Sequence, residues 1–161
     1  MGPRFLLLTI VGVPGVGSEG ESLGAQGIGW RLLGPNNREL GRSARVLGSL
    51  DDCREQFRLL HDGIGDAVTS CERGSLGLGW WWRLTVKGAP IARAGRLFQR
   101  ERECQYSVTQ FVAAVPVAVV KWPSSVEALP RVHAMAFAGR TGALLDDDGA
   151  DLSPRGSGRP S

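Results

Sequence analysis

Histidine, lysine and cysteine are scarce in this chain of 161 residues: there are two His, three Cys, and lysines only at Lys87 and Lys121. Each shortage excludes a class of chemistry. The cysteines (Cys53, Cys71, Cys104) are odd in number and lack CxxC spacing, which argues against a disulfide framework or a zinc site. They read as reduced structural thiols of a cytoplasmic protein. His61 and His133 lie in no metal-ligand pattern and have no nucleophile at a recognisable spacing. No metal, no cofactor and no catalytic residue is therefore expected. The carboxylates Asp51, Asp52, Glu55, Glu101 and Glu103 fall in the first turns of expected helices, where they suit the helix dipole without an acid–base role.

Long apolar runs are missing too. "FLLLTIVGV" (5–13) is far too short to span a bilayer, so no membrane partner is expected. It has the charge order of a signal peptide behind Met1–Arg4, but no small-x-small cleavage site follows closely. Phe5–Val11 reads better as a buried or edge strand. The glycine-rich "GVPGVGSE" (12–19) lacks the lysine of a phosphate loop. Ser18 stands in its place, and the acid Glu19 stands where the magnesium hydroxyl belongs. A flexible loop continuing to Gly29 is expected instead.

The far end is acidic. "LLDDDGADLS" (144–153) has the middle of a calcium loop but places Leu144 and Arg155 where its first and last acidic ligands belong. Disorder is expected from about Asp146 to Ser161, because this stretch buries too little apolar surface to order itself. Before it, Val126, Leu129, Val132 and Met135 mark a short helix interrupted by Pro130.

Between these flanks lies the basic part. Residues 28–122 carry 14 basic and 9 acidic residues, whereas the flanks carry 5 and 7. This region also repeats. "GWRLLGPNNRELGRSARVLGSLDDCREQFRLL" (29–60) aligns with "WWRLTVKGAPIARAGRLFQRERECQYSVTQFV" (81–112), first at an offset of 52 residues and then of 51. Trp30-Arg31-Leu32 meets Trp82-Arg83-Leu84, Arg42 meets Arg93, Arg45 meets Arg96, and Cys53 meets Cys104. Each copy parses as strand (28–33; 80–86), turn, strand (39–47; 90–98), helix and short strand (about 66–71; 117–122). Ser49 and Asp52 start the first helix as a capping box, while Arg100 replaces that serine in the second.

The expected fold class is α+β: two tandem ββαβ repeats forming one mainly antiparallel sheet with two helices on one face. The expected organisation is an N-terminal strand and Gly-rich segment (1–27), repeat 1 (28–72), repeat 2 (79–122) and a C-terminal extension (123–161). Strand alternation sorts the run "WWW" (80–82). Trp80, Trp82 and Leu84 match Ile28, Trp30 and Leu32, so that face is core. Trp30, Leu32, Phe57, Leu60, Trp82, Leu84, Val108 and Phe111 should be buried. Trp81 points to the other face, where it either covers the sheet or stacks on a ligand.

The segments "WRLLGPNNRELGRS" and "WRLTVKGAPIARA", closed by "DAV" (66–68) and "VAV" (117–119), resemble the YegP-like family, a small bacterial domain of unknown function that often occurs as two tandem repeats. The resemblance covers about residues 28–122. It implies one continuous sheet with swapped last strands and helices on one side, and it carries over no catalytic residue, cofactor or substrate. Two departures stand out: Val46 and Leu97 replace the aromatic that commonly ends the second strand, and Ala94 replaces the serine kept at Ser43.

Two functions follow from these residues. The first is a non-catalytic binding or assembly module, able to self-associate. The second is a nucleic-acid or anionic-ligand binder using Arg31, Arg42, Arg83 and Arg93 on the sheet with Trp81 beside them. Against the second stands the ordinary use of such arginines to solvate a sheet and blunt its edges.

Overall fold

The computed structural model describes residues 2–13 and 25–138. The flexible loop expected from Gly12 to Gly29 needs correction at both ends, because residues 12–13 and 25–29 belong to paired strands. Its middle (14–24), the calcium-like segment and the acidic tail lie outside the described residues. The strand β1 (Arg4–Val13) pairs antiparallel with β2 (Ala25–Leu33), which pairs with β3 (Glu39–Ser43). The helix α1 (Leu50–Gly63) leads to β4 (Val68–Arg73). The order then recurs as β5 (Trp80–Val86), β6 (Ala89–Arg93), α2 (Glu101–Ala114) and β7 (Val119–Val120). A short β8 (Arg131–His133) and a five-residue α3 (Ala134–Ala138) follow.

One sheet runs in the order β4-β5-β6-β3-β2-β1-β7, with β8 also beside β1. The pairs are antiparallel except those that β1 makes with β7 and β8. The centre is the β3–β6 pair, where Arg42 lies opposite Arg93, its own counterpart at the repeat offset. A pseudo-two-fold axis therefore passes close to these two arginines, and β4 of the first unit crosses to flank β5 of the second.

The turns and caps follow from their residues. Lys87 and Gly88 both adopt positive φ, the conformation a tight β-hairpin demands. Ser49 caps α1 by accepting a hydrogen bond from the Asp52 amide at 3.1 Å. The main core lies between the sheet and α1 and α2, and all eight residues expected there are buried. Its aromatic rings form a chain joining both units: Trp30 to Phe57 at 5.6 Å, Trp30 to Phe111 at 6.2 Å, and Trp82 to Phe111 at 4.9 Å between centroids. Gly41 lets this happen, since a Cβ there would lie 2.7 Å from both Phe111 and Trp82.

One expectation is resolved and another needs correction. Of the two places expected for the N-terminal strand, buried or edge, it takes the buried one: β1 lies between β2 and β7, where strict two-fold symmetry would pair β2 with β7. Both its faces are apolar. Phe5 and Leu7 enter the main core, while Leu8 and Ile10 enter a second, smaller core on the opposite face, as suits an interior strand. The expected helix around Val126–Met135 is instead a single 3-10 turn (Val126–Ala128), then β8, then α3. Pro130 ends the turn, its carbonyl accepts from the Thr9 amide at 2.8 Å, and the next three residues extend along β1.

Candidate functional site

The four arginines singled out by the repeat fall in one row across four adjacent strands. Arg31 lies opposite Arg42, Arg42 opposite Arg93, and Arg93 opposite Arg83. Residues opposite one another share a face, so the row lies on the side away from α1 and α2. Like charges in such register repel, and the protein supplies acceptors to offset this. Glu39 meets Arg42 at 2.6 Å and Arg31 at 3.4 Å, and Glu72 meets Arg83 at 3.9 Å. The α3 helix lies over the middle of the row. Its Phe137 carbonyl accepts from Arg42 Nη1 at 2.5 Å and Arg93 Nη2 at 2.7 Å, and both guanidiniums stack on the Phe137 ring.

Burial is the consequence. Arg42 is 6% exposed and Arg93 1%. Desolvation, with the adjacent Arg42 guanidinium, lowers the Arg93 pKa to about 9. Arg31 is lowered for the same reasons, burial first. The sheet arginines expected to meet an anionic partner are thus turned inward at the centre of the row. A phosphate backbone lying on the surface does not reach Arg42 or Arg93. Trp81, 7% exposed, is also closed to stacking by a ligand, and the Arg83 guanidinium lies 5.1 Å from its ring centre. The repeat explains why. The counterpart of Trp81 is Gly29, where an added Cβ would come within 2.8 Å of Phe137. Trp81 covers one half of this face, and Phe137 of α3 covers the other.

A different set of arginines lies open. A cleft of about 1050 Å³ runs between α2 and the β2–β3 turn. Arg38 enters it from the turn, Arg96 from the segment after β6, and Arg102 from the first turn of α2. All three are exposed. Among the described residues, none of them forms an ion pair with a carboxylate. Arg96 stacks on Phe98 at 4.7 Å, and Tyr106, 67% exposed, stands one turn along α2 from Arg102. Glu39 and Glu103 also line the cleft, but Glu39 is already committed to Arg31 and Arg42. Pro3 forms part of the wall, and Arg4 Nη2 donates to Asn37 Oδ1, tying the turn to β1.

Sequence reasoning missed this cleft because it followed what the two units share. At the repeat offset Arg38 faces Ala89, Arg102 faces Asp51, and Tyr106 faces Glu55. The signal was in the departures. Arg102 also stands against local preference, a cation in a first helical turn where the dipole favours an anion.

Burial pushes the Cys53 thiol up to about 12, and burial together with a hydrogen bond to Cys71 raises the Cys104 thiol, so both are protonated at neutral pH. Among the described residues, no three His, Cys, Asp or Glu side chains are grouped to hold a metal ion. No described helix is long and apolar enough to cross a membrane.

Fold and cleft together define an α+β sheet protein with a basic groove. The chain is similar in structure to YegP of E. coli, known from a solution NMR structure titled as a protein of unknown function, with a TM-score of 0.51. The likeness spans 81% of this chain and 96% of that one at 8% sequence identity, which establishes the fold alone. No family model and no curated relative matches the sequence.

Proposed function

We propose that this chain is a non-catalytic binding module that takes an anionic ligand in the groove between α2 and the β2–β3 turn. The observation that carries this reading is the convergence of Arg38, Arg96 and Arg102 on one cleft without carboxylate partners among the described residues. Guanidinium groups favour phosphate and carboxylate oxygens through paired, charge-assisted hydrogen bonds. The exposed Tyr106 ring adds a flat surface for a planar group beside them. The protonated Cys53 and Cys104 thiols support a role without covalent chemistry, and three free thiols support a cytoplasmic setting.

The test is a salt titration of binding, using inorganic tripolyphosphate and a short single-stranded oligonucleotide as probes. Affinity is expected to fall as salt rises. Arg38→Ala, Arg96→Ala and Arg102→Ala should each lower the salt slope by about one unit per lost phosphate contact. Arg83→Ala, on the opposite face, should leave it unchanged. Binding that survives all three groove substitutions, or no salt-sensitive binding to either probe, overturns the reading.

A further inference from the structure

We infer that the outer edge of β4 is a self-association surface, pairing antiparallel with β4 of a second copy about a two-fold axis at Cys71. Among the described residues, no strand pairs with that edge, and β4 is matched to β5 along all six residues without a register shift. Natural edge strands are blunted by charges, above all lysine, or by proline, bulges or shortness. "VTSCER" (68–73) has no lysine, proline or bulge, and its two charges, Glu72 and Arg73, are of opposite sign and sit together at one end. The other edge is blunted: β7 has two residues, and Lys121 and Pro123 follow it. With one edge open and one closed, strand pairing between copies cannot grow into a filament and closes as a dimer.

Charge selects the register. Opposed residues share a face of the continued sheet, so the axis passes through a residue rather than between two. An axis at Glu72 or Arg73 opposes like charges, and one at Ser70 places Glu72 against Val68. An axis at Cys71 sets Glu72 opposite Ser70 of the second copy and Arg73 opposite Thr69, with no like charges opposed. The same register brings Val68, 66% exposed, toward the second copy's β4–β5 tip. There Leu76 and Leu78 are 95% and 63% exposed. Leu76 also holds a left-handed φ of 63°, a strained conformation for leucine that keeps its side chain in solvent. Antiparallel pairing covers this apolar surface at both ends of the strand.

Sedimentation velocity on the full chain up to about 0.1 mM is expected to show a monomer–dimer equilibrium. Thr69→Lys places an ammonium opposite Arg73 twice per dimer and should weaken association about fivefold, whereas Thr69→Glu should strengthen it. Thr69 is exposed, so at concentrations where the chain is monomeric both variants should keep the wild-type melting curve. Leu76→Asp should weaken association independently. A chain that stays monomeric over this range overturns the inference. So does a dimer that Thr69→Lys leaves intact, or one that both Thr69 variants shift in the same direction.

Discussion

Each unit buries one tryptophan beneath the helices and gives its indole nitrogen one partner. Trp30 donates to Gln56 Oε1 at 2.6 Å and Trp82 to Ser107 Oγ at 3.0 Å, and Gln56 and Ser107 correspond at the repeat offset. A buried indole N–H left unpaired forfeits more than the bond, because the desolvated group cannot return to water. Trp82→Ala should therefore cost about 3–5 kcal/mol in a denaturant titration, as large aromatic truncations do. Trp30→Phe keeps a ring but strands Gln56, only 5% exposed, and should cost about 1–3 kcal/mol beyond the lost area. The thiols give a second check at this scale. Cys53 and Cys104 are fully buried and protonated, whereas Cys71 is half-buried on β4. In the native protein a thiol reagent read by mass spectrometry should label Cys71 first, with Cys53 and Cys104 labelled only on unfolding. Rapid labelling of Cys53 in the folded chain would contradict this packing.

Among the elements, α3 has the greatest effect for its length. Its five residues close the face of the sheet opposite the main helices, through Phe137 stacked on two guanidiniums and a carbonyl that accepts from both. Gly29 is the space in which that ring sits. Gly29→Ala should displace α3, at about 1–3 kcal/mol for overpacking. Amide exchange should then quicken at Ala134–Ala138, while the Trp82–Phe111 side of the core stays protected. Unchanged exchange in α3 would show that the ring has another place to go. The spacing of Val126, Leu129, Val132 and Met135 suggested a helix across this region. Periodicity cannot register that Arg131–His133 finds an open stretch of β1 to pair with, which is a contact between segments more than a hundred residues apart.

Across the whole molecule, symmetry and its breaking divide the work. What the two units share forms the core and the arginine row, and Glu39, Glu72 and the Phe137 carbonyl supply acceptors for that row. What differs lies around the groove. Replacing Arg102 by Asp and Tyr106 by Glu restores the residues of the first unit at two positions. This double variant should lose anion binding while its melting temperature holds or rises slightly, since a carboxylate suits the first turn of α2. A large loss of stability would mean that these side chains serve packing rather than a ligand.

The repeat, the α+β class, the two amphipathic helices, the hairpins and the eight core positions were legible in the sequence. Each depends on local periodicity or on a comparison of the chain with itself. Tertiary structure decided the rest. Whether β1 lies inside the sheet depends on which strand it finds, and its apolar run suits several places equally. Whether an arginine is a ligand or an internal prop depends on what lies above it. Arg93 and Arg102 are both arginines of the same basic region. One lies beneath Phe137 and shares its carbonyl with Arg42, and the other faces an open cleft, because burial is set by the neighbours that folding brings together and not by the residue's own chemistry.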